Sequence, residues 1–65
     1  MSPIKNNIKA KREKLGLSQW ALADLVGVTQ TTVSIVENGY IRPKTETQAS
    51  FATALNCEVS DIWRE

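Results

Sequence analysis

Between Gln19 and Gly39 the chain reads QWALADLVGVTQTTVSIVENG, and this stretch leaves few folds open. Two short runs with helical apolar spacing are joined by Gly27-Val28. Ser18 precedes the first run and can cap it, its hydroxyl accepting from an N–H that has no intrahelical partner. Leu22 and Val26, with the small Ala21 and Ala23, recur at helical spacing, while Gln19 and Asp24 are polar. Gly27 sits where a helix ends at positive φ, a conformation that glycine adopts without a Cβ penalty. Thr29 can cap the second run, with Val33 and Val36 turned inward and Gln30, Thr31, Ser34 and Ile35 outward. Ala23 suits a close crossing of the two helices, and Asn38-Gly39 supplies the second stop.

The outward set on the second helix is unusual. A solvated helix face ordinarily mixes Lys with Glu, whereas this one is uncharged and carries short or amide-bearing side chains. Gln can pair with N6 and N7 of adenine together. Ser and Thr can bond several base edges, and the methyls of Thr and Ile fit the thymine methyl. Two packed helices of any small all-α domain could share the Gly stop and the Thr cap. The polar reading face points instead to a helix-turn-helix, whose second helix can lie in the major groove.

With these residues in view, LSQWALADLVGVTQTTVSIVENG closely resembles the phage Cro/repressor-type (XRE-like) helix-turn-helix DNA-binding family. The upstream KAKREKLGLSQ and the downstream proline-bearing loop fit as well, so the likeness runs from about Ile8 to Trp63. It implies an all-α, compact five-helix domain, lambda-repressor-like. By resemblance, Gln30, Thr31 and Ile35 hold the base-contacting positions and Ser34 can join them, with Gln30 expected at adenine. Gln19, at the start of the first motif helix, is expected at phosphate and can also brace Gln30 through an amide–amide bond. Thr32, Asn38, Tyr40, Arg42 and Lys44 are the other phosphate candidates, setting register rather than sequence choice.

Arg12 and Glu37 look like the pair with which the family ties its first helix to the end of its third. Resemblance alone places a homodimer seam near Asn56, Cys57, Val59, Ile62 and Trp63. Three residues depart from the pattern. Ile35 replaces a polar side chain and suggests a thymine methyl, with partial burial in the core as the other reading. Gln48 stands where a core leucine is usual, which predicts looser packing or an amide at the dimer seam. Trp20 is large for an exposed position: it could pack on the sugar-phosphate backbone, shield the core or meet a partner protein.

Outside the motif, the spacing predicts a first helix from near Pro3–Asn6 to Lys14, with Ile8, Ala10 and Leu15 on its inner side and Gly16 ending it. Pro43 keeps Tyr40 to Lys44 out of helix. Thr45 and Gln48 read as a capping box for a fourth helix reaching about Leu55 and burying Phe51, Ala52 and Leu55. Ser60 reads as the cap of a last turn, Asp61-Ile62-Trp63, with Ile62 and Trp63 turned to the core or to a dimer partner.

At 65 residues the expectation is a single helix-turn-helix domain, 1–65, with the motif over about 18–38 and no room for a separate sensing or dimerisation domain. A core of this size rarely supplies more than ~3–5 kcal/mol net, so a second copy is a natural supplement. The net charge is only +1 but is unevenly spread. Lys5, Lys9, Lys11, Arg12 and Lys14 outweigh Glu13 at one end, and Arg42 and Lys44 follow the reading helix. Glu46, Glu58, Asp61 and Glu65 outweigh Arg64 at the other end. Such a dipole can turn the basic side toward a duplex.

No apolar run is long enough for a membrane span, and the N-terminal MSPIKNNIKAKR is too polar for a secretory signal. A cytoplasmic protein of bacterial or phage origin is therefore expected. With one cysteine and no histidine, neither an internal disulfide nor a zinc site can form; Cys57 reads as a small core residue, with a redox switch or an intermolecular bridge as the other reading. No cofactor is implied. Asp24, Glu37 and Glu46 show no catalytic convergence, which argues against an enzyme. The leading expectation is a homodimeric, sequence-specific regulator, a repressor, on a near-palindromic double-stranded operator. The alternative is a protein-binding module of the same fold, an antitoxin or antirepressor acting through another regulatory protein.

Overall fold

The computed structural model describes residues 4–63. They form five helices: α1 (Ile8–Lys14), α2 (Gln19–Val26), α3 (Gln30–Glu37), α4 (Thr45–Ala54) and α5 (Val59–Ile62). Pro3, suggested as the start of the first helix, and Arg64 and Glu65, counted in the acidic end, lie outside the described residues. This is the expected compact five-helix arrangement, with α2 and α3 as its helix-turn-helix.

Local chemistry sets the motif's boundaries. Ser18 Oγ accepts from the Ala21 N–H at 3.0 Å, and Thr29 Oγ1 accepts from the Thr32 N–H at 3.2 Å, so both helices open on side-chain caps. Gly27 closes α2 at φ 87°, and both its N–H and that of Val28 donate to Ala23 O. At the end of α3, Gly39 donates to Val36 O and Tyr40 to Ile35 O, satisfying two terminal carbonyls.

All five helices feed one core. Ile8, Leu22, Val33, Val36, Phe51 and Ile62 are fully buried, joined by Ala23, Ala52, Leu55 and Trp63. Phe51 and Trp63 meet edge to face, with ring centroids 6.1 Å apart. α2 packs against both α3 and α4, and α5 against α4. α3 is thereby packed on α2 over the shared core.

Several expectations need correction. The first helix starts only at Ile8; residues 4–7 run non-helically across the fold instead. Ile4 N–H donates to Gly39 O, Asn6 Nδ2 to Val36 O, and Asn7 N–H and Nδ2 to Ile62 O and Asp61 O. Ala10 is exposed because it points away from Ile8 and Arg12, which share a face one turn apart. Leu15 is 48% exposed, lying past the last turn of α1.

The fourth and fifth helices differ at their starts. Thr45 is the first residue of α4, not its cap; Lys44 holds the cap position without a side-chain bond, and Gln48 Nε2 donates to Pro43 O at 2.7 Å. That bond ties α4 to the preceding loop and engages the Gln48 amide within the chain. Glu58, not Ser60, caps α5, because Asp61 Oδ2 reciprocates by accepting from the Glu58 N–H at 3.0 Å. Ile62 and Trp63 are 0% and 4% exposed within the single chain, so neither is on the surface to form a dimer seam.

A methyl group built on Gly27 meets nothing within 4 Å. Gly27→Ala should therefore lose only the backbone term of a left-handed residue, about 1–2 kcal/mol, without disturbing the core. Urea unfolding checks this; an unchanged midpoint would mean that the turn does not need positive φ.

Candidate nucleic-acid interface

The outward side of α3 presents what the sequence placed there. Thr31 is exposed, and Gln30, Ser34 and Ile35 are half-buried. Ile35 stays outside the buried core, which leaves its end available to an apolar contact. Thr32 Oγ1 lies 2.9 Å from Thr29 Oγ1, inside the capped first turn. Asn38 Nδ2 donates to Ser34 O at 2.8 Å and approaches Ser34 Oγ at 3.4 Å, so Asn38 is both the helix stop and a neighbour of the face. Tyr40, Arg42 and Lys44 are exposed on the loop that follows α3, with Tyr40 at 76%.

Gln19, the first residue of α2, reaches α3. Gln30 Nε2 donates to Gln19 Oε1 at 2.6 Å, the amide–amide brace the sequence suggested. Trp20 beside it is 71% exposed. That exposure removes shielding of the core from its three readings.

Beneath this surface lies the Arg12–Glu37 pair, with side chains 11% and 5% exposed. Arg12 Nε donates to Glu37 Oε2 at 2.9 Å and Nη2 to Oε1 at 3.1 Å. Arg12 Nη1 also donates to Leu17 O at 2.8 Å, holding the α1–α2 turn. Gln19 Nε2 donates to Glu37 Oε1 at 3.2 Å. Arg12 is therefore a fastening between helices and not a surface cation.

Burial pushes the Glu37 carboxyl up, but the hydrogen bonds from Arg12 and Gln19 and the charges of Arg12 and Lys9 outweigh it, holding the carboxyl below its ordinary value. The Glu37 hydrogen bond, against the cost of burial, lifts the Arg12 guanidinium above its ordinary value.

The sequence reading missed Asn6 and Asn7. Asn6 Oδ1 accepts from the Ile8 N–H at 3.1 Å while its amide holds Val36 O, so this residue fastens the start of α1 to the end of α3. The signal was present: two Asn residues directly before the first apolar-periodic position are cap residues by type.

Leu15, Leu55, Asn56 and Cys57 line a shallow cleft of about 250 Å³ with Lys11 and Lys14. Asn56 holds φ 57°, and Val59 and Cys57 are half-buried against the core. Burial pushes the Cys57 thiol up, helped by Asp61 and Glu58 and opposed by Lys11. Among the described residues no His, Cys, Asp and Glu side chains cluster to hold a metal ion, and no helix is long and apolar enough to cross a membrane.

This fold and this face define a helix-turn-helix DNA-binding regulator. The chain belongs to that family, in its Cro/C1-repressor branch: the helix-turn-helix family model matches residues 8–62. It is 33% identical over 63 residues to YgzD of Bacillus subtilis (strain 168), an uncharacterised helix-turn-helix-type transcriptional regulator, covering 95% of this chain and 96% of that one. Its structure is similar to the restriction-modification controller protein C.AhdI of Aeromonas hydrophila. That match has a TM-score of 0.79 at 33% identity and covers 85% of this chain and 83% of the other. It is similar also to the P22 c2 repressor in complex with a synthetic operator, with a TM-score of 0.82 at 30% identity, covering 92% and 91% of the two chains.

Two linked outcomes test the fastening. Arg12→Met should destabilise by ~3–5 kcal/mol by stranding a buried carboxylate, whereas Arg12→Met with Glu37→Leu should recover most of that loss. Denaturant midpoints decide it; a double variant as unstable as the single would show that the pair's charge is not what matters. Because Glu37 titrates lower when folded, its contribution is present above the ordinary carboxylate range and is lost as pH falls through its depressed value. The double variant should therefore lose less stability on acidification than the wild type.

Proposed function

We propose that the protein is a homodimeric repressor that reads a near-palindromic operator by laying α3 in the major groove. The observation that carries this reading is the uncharged, amide- and hydroxyl-bearing face of Gln30, Thr31, Ser34 and Ile35 on a helix held firmly at both ends. Gln30 pairs with adenine, and Ile35 takes a thymine methyl. Thr32, Asn38, Tyr40, Arg42 and Lys44 meet phosphates on either side, together with Gln19 at the N-terminus of α2, where the helix dipole favours an anion. The P22 c2 repressor, similar over most of the chain, was captured with an operator.

Two copies set their reading helices about 34 Å apart, one turn of the duplex. With extents of 29 × 22 × 22 Å, neighbouring protomers at that spacing can touch. The seam lies at Asn56, Cys57 and Val59, next to the exposed Leu15. There Lys11 and Lys14 of one copy can face Glu58 and Asp61 of the other across a two-fold axis, which is the self-complementarity such an interface requires. A regulatory protein as the main partner is the second reading, favoured by Trp20 at 71% exposure.

Selection from a random duplex pool at near-physiological salt tests the choice. Enrichment of a two-fold symmetric site supports the dimeric reader; no enrichment by folded protein moves the assignment to a protein partner. Gln30→Ala should relax base preference at one position in each half-site. Lys44→Ala should weaken all sequences alike and reduce the log–log salt slope by about 0.9 per protomer. An unaltered slope would remove Lys44 from the phosphate contacts.

A further inference from the structure

We infer that Glu37, which is too buried to touch DNA, sets the direction in which Gln30 presents its amide to a base. The inference rests on the DNA-reading function proposed above and adds a positioning residue to it. It comes from a continuous chain of four side chains drawn from three helices. Gln30 Nε2 donates to Gln19 Oε1 at 2.6 Å, Gln19 Nε2 donates to Glu37 Oε1 at 3.2 Å, and Arg12 donates twice to Glu37 at 2.9 and 3.1 Å.

A glutamine amide has two ends of opposite character, and rotating it by half a turn exchanges donor for acceptor. An ionised carboxylate accepts only, so the Gln19 end that faces Glu37 must be its NH₂ group. The Gln19 oxygen is then turned toward α3, and Gln30 can meet it only with its own NH₂. Each link fixes the next. One N–H of Gln30 is thereby taken, leaving Oε1 and the second N–H as an acceptor–donor pair, the pair that an adenine edge complements.

Arg12 keeps Glu37 charged and therefore an acceptor. The Glu37 side chain is 5% exposed and Gln19 and Gln30 are half-buried, so water competes weakly for these bonds. Without the chain, Gln30 could turn its amide either way and offer the reversed pattern to another base.

The test is base preference in wild type, Gln19→Leu and Glu37→Gln, each selected against the random duplex pool below its melting temperature. Gln19→Leu cuts the chain but leaves Arg12 and Glu37 paired, so the variant keeps its fold. Glu37→Gln replaces the obligate acceptor by a group that can donate or accept toward Gln19. Both variants should lose about fivefold or more of the wild-type preference at the position read by Gln30, the lower end of what one bidentate contact discriminates.

Side-chain amide spectra of the free proteins should show the Gln30 NH₂ pair shifting toward solvent values in both variants. Gln19→Leu that weakens every sequence equally, with preference at that position kept, would overturn the inference alone: Gln19 would then be only a phosphate contact. Wild-type protein that enriches no site would overturn the DNA reading and this inference with it.

Discussion

The carboxylate of Glu37 is the point on which the rest of the interface depends. It closes the end of α3, accepts twice from Arg12 on α1 and once from Gln19 on α2, and does so nearly out of solvent. α3 is eight residues long, too short to be stable as an isolated helix, so its helicity and position both come from its attachments. Its front is fastened by the Thr29 cap and by Gln30 to Gln19. Its back is fastened by Glu37, by Asn6 on Val36 O and by Ile4 on Gly39 O. Val33 and Val36 fix its inner side. What remains is one outward strip, Gln30, Thr31, Ser34 and Ile35.

That arrangement separates tasks that compete for the same residues. Charge fastens the reading helix from beneath, where Arg12 and Glu37 satisfy each other. The strip itself is neutral, so it can meet base edges without ion pairs to break. Exposed cations, Arg42 and Lys44, sit on the loop after α3, where they are suited to phosphate without choosing sequence. The acidic Glu58 and Asp61 lie near Cys57, beside the cleft that Asn56 and Cys57 line. A protein of net charge +1 can therefore still present a face suited to a polyanion.

The motif was legible because its signals are local. Ser18 and Thr29 cap the helices they precede, and Gly27 and Gly39 take the positive φ that ends them. Resemblance supplied Arg12–Glu37, which no spacing argument alone would single out. The segment of residues 4–7 was misread as helix because its bonds are long-range. Asn6 pairs with Val36 and Asn7 with Asp61, and neither partner can be inferred from neighbours in sequence. At α4 and α5 the expected caps, Thr45 and Ser60, are not the residues that hold the cap positions. Gln48 found Pro43 O instead of completing a box with Thr45, and Asp61 found Glu58 instead of following Ser60. Ile62 and Trp63 fitted both a core and a seam by type; the edge-to-face contact with Phe51 places Trp63 inside.

In the proposed function, the strip on α3 is the surface that enters the groove. The most direct measurement is amide-resolved NMR of the protein titrated with its selected duplex, following backbone and side-chain N–H groups together. The largest shifts are expected at Gln30, Thr31, Ser34 and Ile35, with Gln19, Asn38 and the loop to Lys44 next and the core unmoved. Shifts centred on Trp20 or on Asn56 and Cys57, with the α3 strip unchanged, would contradict it.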